Sequence, residues 1–117
     1  MRERSVSDYI PMSEAMFHVL VALADSPMHG YSIMKEVAGR TDGRVRLSTG
    51  TLYGIVKRLL ADGLIVEMPR RASASDGDRK RRLYTLTPFG RQVARAEAAR
   101  LQGLVSAARA ASLIRIP

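Results

Sequence analysis

The stretch Leu47–Asp62, LSTGTLYGIVKRLLAD, constrains the fold more than any other part of the chain. Leu52, Ile55, Val56, Leu59 and Leu60 recur at helical spacing, which predicts one helix with one apolar stripe that must be buried. At about 100° per residue, Gly50, Gly54, Lys57 and Ala61 fall opposite that stripe, with Tyr53 and Arg58 at its edges. The opposite face is small and basic, and carries no carboxylate before Asp62. Ser48 is placed as an N-cap, and the N–H groups of the first turn suit a phosphate. Glycine weakens a helix but lets its backbone approach another surface closely, so a helix with two glycines on one face is expected to use that face. The plainer alternative is that Lys57 and Arg58 are solvated charges and that the glycines ease internal packing.

The rest of the chain supplies a body for this helix. Ser13–Ala24 reads as a first helix capped by Ser13, with Met16, Val19, Leu20 and Leu23 inward and Phe17 and Val21 widening the stripe. Asp25-Ser26-Pro27 stops it. A second helix starts near 28–31, turns Ile33, Met34, Val37 and Ala38 inward, and ends in the turn chemistry of Thr41-Asp42-Gly43. Gly63 is placed as the residue after the cap of the third helix. Leu64–Met68, closed by Pro69, and Arg81–Leu86 read as two paired strands joined by a long basic tip, RRASASDGDRK. Thr87 and Pro88 then open a last helix, as cap and first residue, that runs to about Ala111.

The order is helix, helix, helix, hairpin, helix: mainly α with a small β-hairpin. That is the winged helix-turn-helix layout, over residues 1–86, followed by a long C-terminal helix, over residues 87–117, in the same compact unit. In this layout the third helix enters the DNA major groove and the hairpin, or wing, reaches the backbone or the minor groove. Along the last helix, Leu101, Leu104, Ala108 and Ala111 alternate spacings of three and four, with Val105 beside them. Such a seam suits a partner helix, and so predicts a homodimer; the alternative is a helix folded back on the body.

A chain of 117 residues supports one domain, and its formal charge of +8 favours a polyanionic partner, nucleic acid or an acidic membrane surface. The absence of cysteine excludes disulfides and thiolate metal sites and fits a reducing cytoplasm. The longest apolar run, Ala15–Ala24, is interrupted by His18 and falls well short of the about 20 residues of a membrane span. The N-terminus MRERSVSDYIP has no hydrophobic signal region, so neither signal peptide nor membrane segment is expected. It reads as a short frayed arm whose Arg2 and Arg4 at most touch a phosphate. His18 and His29, the only histidines, read as structural or capping residues. With no P-loop, no dinucleotide fingerprint and no carboxylate pair at catalytic spacing, no enzyme activity, cofactor or metal is expected.

The segments HGYSIMKEV, STGTLYGIVKRLLADGLI and DRKRRLYTLTPFG closely resemble the PadR family of transcriptional regulators, over about residues 12 to 105. The single C-terminal helix resembles the smaller PadR subfamily, whose members are dimers. The resemblance implies that Thr49, Gly50, Thr51, Tyr53 and Lys57 face DNA, in company with Ser48, Gly54 and Arg58 of the same helix. Tyr53 would pack on a sugar or a thymine methyl, and Lys57 would contact a phosphate or a guanine edge. Arg79, Lys80 and Arg81 would bind phosphates from the wing, and Gly30-Tyr31 would set the start of the second helix with Tyr31 partly in the core. The resemblance also suggests a repressor acting on a near-palindromic operator and released by a planar aromatic acid or a drug-like effector. There is no tryptophan, so the tryptophan-lined drug pocket of some relatives does not carry over. Met12, Met16 and Phe17 are the candidate effector residues, in a cleft expected between the first and last helices. Two rivals stand beside this reading: a winged helix used only to bind an acidic protein, and a DNA binder without sequence preference.

Overall fold

The computed structural model describes residues 4–68 and 82–115. A 3-10 helix, Val6–Tyr9, precedes α1 (Glu14–Asp25), β1 (Met28–His29), α2 (Gly30–Arg40), α3 (Thr49–Ala61), β2 (Ile65–Glu67), β3 (Leu83–Leu86) and α4 (Pro88–Ala110). Local chemistry sets the helix ends as expected. The Ser13 hydroxyl accepts from the Met16 N–H, that of Ser48 from Thr51 and that of Thr87 from Gly90. Gly63 adopts φ +76°, which only glycine takes without strain, and the bonds Leu64 N–H to Leu59 C=O and Gly63 N–H to Leu60 C=O close α3 in a Schellman turn.

The apolar stripes meet in one core. Val19, Leu20 and Leu23 of α1, Ile33 and Val37 of α2, and Leu52, Val56 and Leu59 of α3 are buried together with Leu64, Ile65, Tyr84 and Val93. The sheet has the order β1-β3-β2, all antiparallel. Tyr84, in the middle strand, is the partner of both Met28 and Glu67, so one buried aromatic joins both edges. The fold is thus a winged helix-turn-helix with a long C-terminal helix. Its radius of gyration, 16.3 Å, exceeds the about 13 Å of a compact chain of this length.

The second helix starts inside the expected window, at Gly30, and Met28 and His29 just before it form a short edge strand that the hairpin reading did not include, because β3 offers them hydrogen-bond partners. His29 stands at the N-cap position of α2, but its side chain makes no capping bond. The N-terminus is not a frayed arm over its described part: Val6, Tyr9 and Ile10 pack against the core, and Tyr9 meets Phe89 edge-on at 5.7 Å between ring centroids. Among the described residues no helix is long and apolar enough to cross a membrane.

Candidate nucleic-acid interface

α3 presents Thr49, Gly50, Thr51, Tyr53, Gly54, Lys57 and Arg58 on exposed positions, while Leu52, Val56 and Leu59 hold the opposite side in the core. Among the described residues, a Cβ built on Gly50 or Gly54 would meet nothing within 4 Å. The two glycines therefore do not ease packing inside the chain. They leave a smooth, open, basic face whose backbone can be approached closely. Ser48 is exposed, yet its hydroxyl is engaged inside the first turn: it accepts from the Thr51 N–H at 3.1 Å and donates to the Thr51 hydroxyl at 2.9 Å.

Tyr53 is less free than its position on the helical wheel suggests. Its ring is 40% exposed, but its hydroxyl lies over the start of α2, where a Cβ on Gly30 would come within 2.6 Å of it. The HGY and TLYG segments are therefore in contact, and Gly30 is the residue that admits the tyrosine tip. Tyr53 also lies near Tyr84, and burial, with Tyr53 and Glu67 close by, pushes the Tyr84 phenol above its ordinary value. Tyr31 is not partly core. It is 69% exposed, with the Lys35 ammonium 5.6 Å from its ring centroid. The reason is helical phase: Gly30, Ile33 and Val37 occupy the inward stripe, and Tyr31 sits a hundred or so degrees around from Gly30.

Two cations escaped the sequence reading. Arg44 and Arg46 are exposed in the turn that leads into α3. The Arg46 guanidinium folds over Gly43, whose φ is +78°. Charge counting from Arg40 to Arg46 would have found them, but the segment reads first as turn chemistry. At the wing, Arg82 pairs with Glu67 at 3.3 Å on the surface. Arg79, Lys80 and Arg81 lie outside the described residues.

On α4 the expected seam is largely open. Leu104 is 57% and Val105 40% exposed, Leu101 and Ala108 are half-buried, and Ala111 is exposed beyond the helix end. Of the expected effector residues, Met12 and Met16 line a cleft of about 250 Å³, but Phe17 does not. The cleft lies between the N-terminal segment, α1 and the end of α3, where Tyr9, Arg58 and Asp62 complete it, and not between the first and last helices. Phe17 is one position, about 100°, around α1 from Met16, and so leaves that face.

Residues 19–96 match the model of the transcriptional regulator PadR-like family, and the chain belongs to that family. It is 42% identical over 74 residues to a transcriptional regulator of Mycobacterium tuberculosis, a match that covers 63% of each protein. The chain spans less than two thirds of the curated relatives it matches, down to a quarter of one of them. In fold it is similar to a PadR family transcription regulator of Clostridium difficile, with a TM-score of 0.67 and 22% identity over 83% of this chain and 96% of that one. It is also similar to Bacillus subtilis PadR, solved in complex with operator DNA, with a TM-score of 0.60 and 19% identity over 72% of this chain and 46% of that one.

Proposed function

We propose that this chain acts as a homodimeric repressor that reads a near-palindromic DNA operator through α3. The observation that carries the reading is the open face of Gly50 and Gly54 beside Lys57 and Arg58. Close backbone approach plus positive charge is what a reading helix needs in a major groove lined by phosphates. Residues 1–86 serve as the DNA-binding unit and residues 87–117 as the dimerisation helix. Ser48, Thr49, Gly50, Thr51, Tyr53, Gly54, Lys57 and Arg58 face the groove, and Arg79, Lys80 and Arg81 touch phosphates from the wing. Ser48 acts mainly through the first turn it caps. Leu101, Leu104, Val105, Ala108 and Ala111 form the dimer seam. The operator complex of Bacillus subtilis PadR supports the choice of duplex DNA over an acidic protein as the partner. A small aromatic or drug-like effector is best accommodated beside Met12 and Met16, in the cleft that Arg58 and Asp62 of α3 share, where it would bear directly on the reading helix.

The test is selection of bound fragments from genomic DNA, followed by titration of the selected site and a scrambled duplex with wild type and Lys57→Ala. If Lys57 pairs with a guanine, the substitution is expected to cost roughly 1–3 kcal/mol and to relax choice at one position of each half-site. Equal binding of the wild type to selected and scrambled DNA would refute a sequence-reading repressor, and failure to bind any duplex would favour the protein-interaction rival.

A further inference from the structure

α4 leaves the body of the protein at a buried charge. Gly90, Val93 and Glu97 are its buried residues, and Glu97 is the last: from Ala98 to Ala110 every position is exposed or half-buried. A carboxylate only 1% exposed is unfavourable unless it is fully partnered. Glu97 is. The Arg100 Nε donates to its Oε1 at 2.6 Å and the Arg100 Nη2 to its Oε2 at 2.9 Å. The backbone N–H of Met12, far away in sequence, donates to the same Oε2 at 3.1 Å.

Met12 ends a segment that is fastened at two further points. Tyr9 packs on Phe89 in the first turn of α4. Arg4 pairs with Asp62, the C-cap residue of α3, and donates to the Tyr9 hydroxyl at 2.8 Å. The segment from Arg4 to Met12 thus runs as a strap from the end of the reading helix to the point where the dimerisation helix departs.

We propose that Glu97 is a positioning residue: through the strap it sets the angle at which the free half of α4 leaves the winged-helix body, and hence the separation of the two α3 helices on DNA. The proposal rests on the dimeric DNA-binding reading above. An apolar side chain would fill the same site, but it would leave the Met12 N–H without an acceptor and remove the directional tie between the strap and this turn of α4. The two bonds from Arg100, three residues on in the same helix, hold the carboxylate in the orientation that receives the Met12 N–H, and that one bond between elements fixes where the turn sits against the strap. The lever is long enough to matter. From Glu97 to the end of α4 is about 20 Å, so a change of about 10° in exit angle moves the far end by about 3.5 Å, one base-pair step.

Two measurements on the full chain test this, with sedimentation and thermal melts as controls. Because the chain has no cysteine, Ala61→Cys and Ala110→Cys give a unique spin-label pair between the ends of α3 and α4. With labelled protein diluted into unlabelled, the wild-type background is expected to give one narrow distance distribution. Glu97→Leu, still folded and dimeric, should broaden or shift it, and Glu97→Gln, which keeps an acceptor for Met12, should restore most of it. An unchanged distribution in folded Glu97→Leu overturns the proposal. The second measurement uses the selected operator with one base pair added or removed between half-sites. Wild type is expected to lose about tenfold or more on either change, and Glu97→Leu less than about threefold. Arg4→Ala should weaken the spacing preference in the same direction with its melting temperature unchanged, since an exposed ion pair contributes little stability. A dimeric Glu97→Leu protein with the full wild-type spacing penalty also overturns the proposal. A wild type that binds no duplex refutes the DNA reading instead, while the label distances still decide whether Glu97 positions α4.

Discussion

Replacing Gly54 should make the protein more stable and a poorer DNA binder. A Cβ at that position meets nothing within 4 Å among the described residues, so alanine adds no clash with them and removes no contact. What remains is the intrinsic penalty of glycine inside a helix, about 1 kcal/mol relative to alanine. Gly54→Ala is therefore expected to raise the melting temperature by roughly 4 °C. Gly54→Glu should keep much of that gain, because glutamate also favours helix over glycine. Its effect on DNA should be far larger: it sets bulk and a negative charge where the groove wall and its phosphates must lie. Like charges juxtaposed across an interface cost several kcal/mol, which is about a hundredfold or more in affinity. The assay is titration of operator and scrambled duplex at several salt concentrations, with thermal melts followed by circular dichroism. A Gly54→Glu protein that melts at or above wild type and still binds operator normally would refute the assignment of α3 as the reading helix. A lowered melting temperature for Gly54→Ala would show that the position is not open.

Gly90 should behave in the opposite way. A Cβ there would lie 1.9 Å from the Leu64 carbonyl oxygen, and the Thr87 hydroxyl already donates to the carbonyls of Gly63 at 2.6 Å and Leu64 at 3.1 Å. Backbone faces backbone, so Gly90→Ala should cost about 3 kcal/mol from overpacking and weakened hydrogen bonds, seen as a fall of roughly 10 °C in thermal melts. The Arg100 guanidinium first, and the Met12 N–H with it, hold the Glu97 carboxyl below its ordinary value against the opposing effect of burial. A depressed carboxyl pKa adds stability that is complete above the unfolded value of about 4.3 and is lost as the pH falls through the folded value. Denaturant titrations should therefore show Glu97→Gln less stable at neutral pH and less acid-sensitive than wild type; an unchanged acid limb would contradict this. Leu104→Glu, at a position 57% exposed, should leave the monomer folded but shift sedimentation from dimer to monomer and weaken operator binding, because the two half-sites no longer act together.

Much of this was legible because it is local. The caps Ser13, Ser48 and Thr87 and the glycine after α3 act on backbone groups two or three residues away, so the string of letters contains both partners. The apolar stripes were legible for the same reason: helical period alone places Leu52, Val56 and Leu59 together. The open face of α3 was legible only in part. Periodicity set Gly50 and Gly54 opposite the stripe, but whether another element covers that side is not written in the stretch itself.

The amino-acid sequence by itself determined the order of the four α-helices and the hairpin, the helix ends and the stripe that α3 turns inward, since each follows from contacts within about two turns of helix. Tertiary structure alone decided that Met28 and His29 pair with β3, that Tyr53 leans on Gly30, that Gly90 abuts the backbone of Leu64, and that Glu97 is buried. Glu97 shows the reason most plainly. Followed three residues later by Arg100, it reads as an ordinary surface ion pair on a helix, and nothing nearby marks it as internal. Its burial is set by Met12, 85 positions earlier, whose backbone N–H needs an acceptor once the N-terminal strap has packed against the core. Such a partner is fixed only when the chain has folded, because the hydrogen bond answers a polar group that folding itself removes from water.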